Sequence, residues 1–217
     1  MVMTAIVAVR TLEGYIFAAD GRQTHGTSFD DDTVKVFHSF CRNSEVAWGC
    51  FNAVYHSFDG VDSFDLVKTS LVVSKHLVDR DFLSLADYAM EMARAIHHVL
   101  EVYYSKYSAT ICFPEEVFPG LAFVGYINGE AQLAQVEIRH SGGKWLPPCL
   151  VTLPVRPCGL AIATGSETVY RALDKAGMLI APRSMSGIDS GHQQEHFVDA
   201  QAFLKCCSWE RVSAPTI

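Results

Sequence analysis

The chain has 217 residues, of which 49% are hydrophobic and 19% are charged, and its formal net charge at pH 7 is −7. This length and composition are typical of one globular domain, so we predict a single domain over residues 1–217. The acidic balance, without a lysine and arginine cluster, argues against binding to nucleic acid or to an anionic membrane surface, and no apolar run approaches the ~20 residues that span a bilayer.

The first quarter of the chain predicts two pairs of strands. Thr4–Arg10 is rich in valine and isoleucine, and Tyr15–Asp20 is a second apolar run after a glycine-containing turn. Together they predict a β-hairpin that is buried on both faces. Residues 21–32 are polar and contain glycine, which indicates a loop. Val34–Phe40 and Glu45–Phe51 predict the second strand pair.

Apolar residues then recur at helical spacing. They predict one helix over Asp62–Leu77 and a second, roughly antiparallel helix over Ser84–Tyr104. Ser84, with Asp87 three residues later, is typical of the capping-box start of a helix.

The last part of the chain predicts three strands and two helices. The Asn128-Gly129 dipeptide between two apolar runs is a strong signal for a two-residue hairpin turn. The predicted elements are the strands Leu121–Ile127, Ala131–Ile138 and Cys158–Ala163 and the helices Glu167–Ala176 and Gln193–Trp209. Strands that come in hairpins and helices that come in blocks favour an α+β fold in which helices cover antiparallel sheets.

Two short segments carry a family resemblance. The sequence reads Thr4-Ala-Ile-Val near its start and Ala18-Ala-Asp-Gly-Arg-Gln-Thr24 after the first turn. It thereby resembles proteasome β-type subunits and bacterial peptidase-ring subunits of the N-terminal-nucleophile (Ntn) hydrolase family, whose nucleophile and acid are also 16 residues apart. Gly125-Tyr-Ile-Asn-Gly129 and Ala163-Thr-Gly-Ser166 are similar to two later motifs of that family.

The resemblance implies a fold, an activity and partners. The implied fold is a four-layer αββα sandwich, with two antiparallel sheets between helix layers. The implied activity is that of a threonine-type endopeptidase, which cleaves peptides or unfolded proteins inside a ring-shaped homo-oligomer. An ATP-driven unfoldase is a candidate partner, and we predict neither a cofactor nor a metal.

The resemblance assigns catalytic roles to five residues. Thr4 is the nucleophile, and its own α-amino group, with a reference pKa of ~7.7–8.0, can take the hydroxyl proton. Lys35 places positive charge beside Thr4, and Asp20 keeps that lysine charged and oriented. Gly49 leaves room for substrate, and its N–H can face the oxyanion. Ser166 either hydrogen-bonds the α-amine or caps the following helix.

The lysine assignment depends on one deletion. An ungapped count from Thr4 places Val36, not Lys35, at the catalytic position of the family. Lys35 and Gly49 nevertheless have the family's spacing of 14 residues, and one deletion in the loop before Asp32 brings both into register. We therefore assign Lys35, and the alternative is a surface lysine in an inactive site.

Three further residues are candidates for supporting roles. Arg22 follows Asp20 in the first motif, and Glu210-Arg-Val-Ser213 is the nearest match to an Asp-x-x-Ser-Gly element of the family. The family continues beyond that element with Gly-Gly and a final sheet strand, so we expect either that the chain is truncated at Ile217 or that this strand is missing. Active Thr4 requires a free amine, and we expect initiation at Met3 followed by methionine removal.

Two alternatives to the peptidase remain open. One is a non-catalytic ring subunit that retains the fold, and the other is an Ntn amidase or acyl transferase acting on a small amide. Seven cysteines without framework spacing indicate reduced thiols, and residues 1–9 lack a basic leader, so we predict a cytoplasmic protein. We expect a closed homo-oligomer because the helices carry more apolar surface than one small domain needs to bury, namely Phe64, Leu85 and Tyr103.

Overall fold

A computed structural model describes most of the first 151 residues and two later strands. The described residues are 6–11, 14–20, 23–25, 28–30, 34–52, 55–58, 62–107, 119–151, 153, 159–164 and 207–213. The elements are, in chain order, β1 (Ile6–Thr11), β2 (Gly14–Asp20), β3 (Gln23–His25), β4 (Ser28–Asp30), β5 (Val36–Cys41), β6 (Ser44–Asn52), β7 (Tyr55–Phe58), β8 (Asp62–Asp65), α1 (Leu66–Leu77), α2 (Leu85–Tyr107), β9 (Pro119–Ile127), β10 (Glu130–Glu137), β11 (His140–Ser141), β12 (Lys144–Trp145), β13 (Cys149–Val151), β14 (Gly159–Thr164) and β15 (Cys207–Ser213).

The first sheet has the strand order β14-β1-β2-β15, and all of its pairs are antiparallel. Its centre is the predicted β1–β2 hairpin, in which Ile6 pairs with Ala19. The expectation that this hairpin is buried on both faces is wrong. Tyr15 and Phe17 are fully buried, whereas Ile16 between them is 44% exposed, so only one face is packed among the described residues.

The second sheet has the order β13-β10-β9-β6-β5 and is also antiparallel. Both of its predicted hairpins are confirmed. β5 and β6 pair across the turn after Cys41, and β9 and β10 pair across Asn128-Gly129. The backbone φ angles of Asn128 and Gly129 are 52° and 82°, which is the positive-φ pair that a tight hairpin turn requires.

The two sheets pack face to face through an apolar core. Period-two alternation sends every second side chain of each strand to this interface. Ile6 and Phe17 come from the first sheet, and Val36, Ala47 and Phe51 come from the second. This inter-sheet core holds the start of β1 against the middle of β6.

Both described helices cover the other face of the second sheet, where they pack on Trp48 and Phe123. The Asp65 carboxylate caps α1 by accepting a hydrogen bond of 3.0 Å from the Lys68 N–H. The predicted start of α2 at Ser84 is confirmed as an N-cap, because the Ser84 hydroxyl accepts from the Asp87 N–H at 3.1 Å. Within the described ranges, neither helix combines the length and apolarity that crossing a bilayer requires.

The structure corrects the predicted layers. The described residues are dominated by strands and form two packed sheets with helices on one outer face, so the four-layer αββα sandwich is wrong for this part of the chain. The predicted helix Glu167–Ala176 lies outside the described residues.

Three predicted segments also have different secondary structure. Asp62–Asp65 is strand β8, and α1 begins only at Leu66. The predicted loop over residues 21–32 contains the short β3–β4 hairpin. The predicted helix Gln193–Trp209 is wrong at its end, because Cys207–Trp209 belong to β15 and pair with β2.

The apolar residues that led us to expect an oligomer mostly pack inside the chain. Phe64 and Leu85 are fully buried in the core beneath the helices. Tyr103 packs edge-on against Phe64, with ring centroids 6.1 Å apart. These side chains therefore do not support an oligomer.

Cys50 on β6 is expected to resist alkylation in the folded protein. Its side chain is fully buried, with the Sγ atom 3.8 Å from Ser70 Oγ, and burial raises the pKa of this thiol to about 12. A thiol with so high a pKa carries almost no reactive thiolate in mildly alkaline buffer. Iodoacetamide followed by peptide mass spectrometry should modify exposed Cys149 and leave Cys50 unmodified until the protein is unfolded. Modification of Cys50 in the native protein would contradict this burial.

Candidate functional site

Gly49 lies at the contact between the two sheets. It is in the middle of β6, paired with Val36 on β5 and with Ala122 on β9. A Cβ atom at this position would lie 2.9 Å from the Lys35 carbonyl oxygen and 3.1 Å from Ile6 Cδ1. Packing therefore favours glycine here, because a Cβ atom would crowd the backbone carbonyl of Lys35 most and the tip of the Ile6 side chain next.

Lys35 is enclosed by the fold. It lies immediately before β5, and the residue is only 1% exposed, which is unusual for lysine. A surface lysine, the alternative considered from the sequence, is thereby excluded. Val36, the ungapped candidate for the same position, is buried in the inter-sheet core. Since Lys35 precedes the first residue of the strand, strand alternation does not fix the direction of its side chain.

The start of β1 connects these residues to the predicted nucleophile. Ile6 is fully buried and is the side chain of β1 that contacts the Gly49 position. Thr4 lies two residues earlier in the sequence and is outside the described residues. The fold thus brings the strand that follows Thr4 to the place where Lys35 and Gly49 meet.

Asp20 lies at the end of the same hairpin. It is the last residue of β2, next to Ala19, which pairs with Ile6. On its other side Asp20 is paired with Cys207 of β15. The backbone therefore places Asp20 beside the start of β1, and its catalytic role stays a prediction.

The supporting candidates have different positions. Arg22 and Ser166 lie outside the described residues. Glu210 is opposite Phe17, and Ser213 is opposite Gly14 at the far end of β2. Six residues of strand separate Ser213 from the level of Asp20, which is about 20 Å. The structure does not bring Ser213 to the predicted site.

Two apolar residues at the site were not predicted as part of it. Ile6 and Phe17 fill the space that a side chain at Gly49 would occupy. Both lie on the inward face of the β1–β2 hairpin, so their alternation with more exposed neighbours is the signal that could have identified them.

Comparisons with known proteins give no family. No protein-family model matches the chain, and no curated protein matches it.

Similar solved structures are those of Anbu proteins. The Anbu complex of Pseudomonas aeruginosa, solved as a helical assembly, has a TM-score of 0.48 and 14% identity, over 79% of this chain and 65% of that one. Anbu (ancestral β-subunit) from Yersinia bercovieri has a TM-score of 0.42 and 15% identity, over 68% of this chain and 59% of that one. A Gly-1 mutant of Anbu from Hyphomicrobium sp. strain MC1 has a TM-score of 0.41 and 16% identity, over 79% of this chain and 64% of that one.

These findings correct the family assignment made from the sequence. The assignment to proteasome β-type and bacterial peptidase-ring subunits is wrong, since no family model matches and the similar structures belong to Anbu, a different proteasome-like family. The chain spans 59–65% of the length of these structures. With TM-scores of 0.41–0.48, the likeness carries no argument about activity.

Proposed function

We propose that this chain is an N-terminal threonine hydrolase that cleaves peptide bonds within a closed homo-oligomer. The observation that supports the proposal most is the contact of β1 with the Lys35–Gly49 region. It brings the strand that begins two residues after Thr4 next to a buried lysine. A buried cation beside a hydroxyl residue is the arrangement that activates a weak nucleophile.

Each residue has a chemical role in this proposal. The Thr4 hydroxyl attacks the substrate carbonyl, and the Thr4 α-amine accepts the hydroxyl proton. The Lys35 ammonium stabilises the negative charge that develops on the attacking oxygen. Asp20 balances the charge of Lys35, and Ser166 hydrogen-bonds the α-amine.

Gly49 is the predicted oxyanion donor. It has paired strands on both sides, so its N–H belongs to the ladder of the second sheet. Its lack of a side chain is already explained by the close approach of the Lys35 carbonyl oxygen and of Ile6. The role of Gly49 as an oxyanion donor stays a prediction.

Covalent labelling tests the proposal directly. A peptide epoxyketone reacts with both the hydroxyl and the free amine of an N-terminal threonine, so mass spectrometry should locate one adduct on Thr4. The Thr4→Ala variant is the matched control and should remain unlabelled. An adduct elsewhere, or none on an intact oligomer, contradicts the proposed chemistry.

One observation favours a non-catalytic subunit as the second candidate. Val36, at the ungapped position of the catalytic lysine, is packed in the inter-sheet core. If Val36 occupies that position functionally, the site has no cation to activate Thr4. The labelling experiment separates the two candidates, because a non-catalytic subunit assembles but forms no adduct.

The first residue of the active protein is expected to be Thr4. An amide at its nitrogen could not accept the hydroxyl proton, so residues 1–3 must be absent from the active form. Intact-mass measurement and N-terminal sequencing of protein purified from its natural source should find Thr4 first. A protein that begins at Met1, Val2 or Met3 and still hydrolyses peptides would overturn the role of the α-amine.

A further inference from the structure

Leu83 is held in solvent at the corner between α1 and α2. Its residue is 90% exposed, whereas its neighbour Phe82 is buried. The Asn43 side chain fixes the backbone of Phe82, since its Nδ2 donates to the Phe82 carbonyl at 2.7 Å and its Oδ1 accepts from the Phe82 N–H at 3.2 Å. The Phe82 ring meets Tyr88 edge-on at 5.1 Å.

The other side of Leu83 is fixed as well. The Leu85 N–H donates to Gln132 Oε1 at 2.8 Å, and the Leu85 side chain is fully buried. The backbone on both sides of Leu83 is therefore anchored by hydrogen bonds. A large apolar side chain that projects into water from an anchored backbone is suited to contact with another surface.

A groove lies beside this projecting leucine. Its apolar lining includes Phe82, Ala86, Met90 and Leu150, and its volume is about 350 Å³. The rim of the groove carries charges of both signs, with Arg80 and Arg94 against Asp81, Asp87 and Glu91. We call Leu83 together with this groove the corner patch.

We propose that the corner patch binds the corner patch of a second copy of this chain across a two-fold axis. A two-fold contact requires a surface that is complementary to itself. The corner patch contains both a projecting side chain, Leu83, and an apolar groove that can receive one. It also contains both signs of charge, so the arginines of each copy meet the acids of the other.

The charges inside one chain are consistent with such an exchange. Glu91 already pairs with Arg80 at 3.2 Å and lies 3.9 Å from Arg94. One carboxylate between two guanidinium groups leaves positive charge at this part of the rim. Asp81 and Asp87 supply negative charge on the same patch; Asp81 lies 3.9 Å from Arg42, and Asp87 accepts a hydrogen bond from the Ser84 hydroxyl. A partner of a single charge sign would meet repulsion from half of this rim.

This contact rests on the proposed assembly but not on the proposed chemistry. Hydrolysis and association are therefore measured on the same samples. If the chain associates as proposed but does not hydrolyse peptides, only the hydrolase proposal is contradicted. If a substitution in the corner patch changes association while peptide hydrolysis is retained, the result bears on the corner patch alone.

Sedimentation velocity of the full chain at micromolar concentrations tests the contact. Leu83→Asp should weaken the two-fold association on the order of tenfold or more, because a charge replaces the central apolar side chain. The matched control is Val72→Asp, at a residue of α1 that is 57% exposed and outside the groove, and it should associate like the unaltered chain. A monomeric unaltered chain, or equal association of Leu83→Asp and the unaltered chain, overturns the proposal.

Disulfide trapping tests the symmetry independently. In the Leu83→Cys, Met90→Cys double variant, made together with Cys149→Ser because Cys149 is exposed, both possible bridges of a two-fold contact form within one pair of chains. Oxidation should therefore yield a covalent dimer more readily than either single variant does. Ladders of three or more chains would indicate a head-to-tail contact and overturn the two-fold proposal, as would the absence of cross-linking above the level of the unaltered chain.

Discussion

Lys35→Ala is expected to lower the rate of peptide hydrolysis by about 10²–10⁴-fold and to leave the mass of the oligomer unchanged. The substitution removes the amino group of a buried lysine whose backbone lies beside Gly49, the residue that Ile6 of β1 approaches. Without it, the hydroxyl has only the α-amine to activate it and no charge to stabilise the attacking oxygen. Initial rates with a fluorogenic peptide, together with light scattering, measure both quantities.

Because Lys35 is buried, the alanine variant also leaves a void, and two controls separate packing from charge. Lys35→Met keeps most of the volume without the charge and should be as inactive as alanine. Lys144→Ala removes an exposed lysine on β12 and should retain the full rate. A methionine variant as fast as the unaltered chain would show that Lys35 has only a structural role.

Gly125→Ala is expected to destabilise the fold by roughly 1–3 kcal/mol. A Cβ atom at Gly125 would overlap the Glu45 carbonyl oxygen and would lie 3.0 Å from Val46 Cα. Both atoms belong to the backbone of β6, which β9 pairs with, so they cannot move without disturbing the second sheet. Denaturant unfolding of both proteins measures the free-energy difference.

The control for this substitution is Gly142→Asn. A side chain at Gly142 meets open space, and asparagine tolerates the φ of 56° found there. Its free energy of unfolding should match that of the unaltered chain within experimental error. Equal stability of the alanine variant at position 125 would show that β9 and β6 are farther apart than described.

Elements with a strong local signal were predictable from the sequence. The Asn128-Gly129 turn demands positive φ at two successive residues, and this requirement is independent of the rest of the fold. The Ser84 cap of α2 is local in the same way. By contrast, Cys207–Trp209 form a strand because β2 offers an edge, and β2 is nearly 190 residues earlier in the sequence. Such long-range pairing overrides local periodicity.

The candidate site was predictable in part for the same reason. Motif spacing pointed to Gly49, and the structure adds why glycine fits there, namely the close approach of the Lys35 carbonyl oxygen and of Ile6 from the other sheet. The sequence left open whether Lys35 is exposed, because burial depends on how the two sheets stack. Whether Lys35 or Val36 occupies the position of the catalytic lysine depends on the direction of side chains at the start of β5, and sequence periodicity does not determine that direction.

The strand order of the first sheet determines when, during synthesis, the candidate site can form. β1 and β2 end at Asp20, but their outer partners begin at Gly159 and Cys207, whereas the second sheet and both helices come from residues 36–151. A chain emerging from the ribosome can therefore pack its middle while the first hairpin still lacks both neighbours. We expect β1 to settle against Gly49 only after β15 has emerged, so the nucleophile proposed above would not be assembled while the chain is still being synthesised.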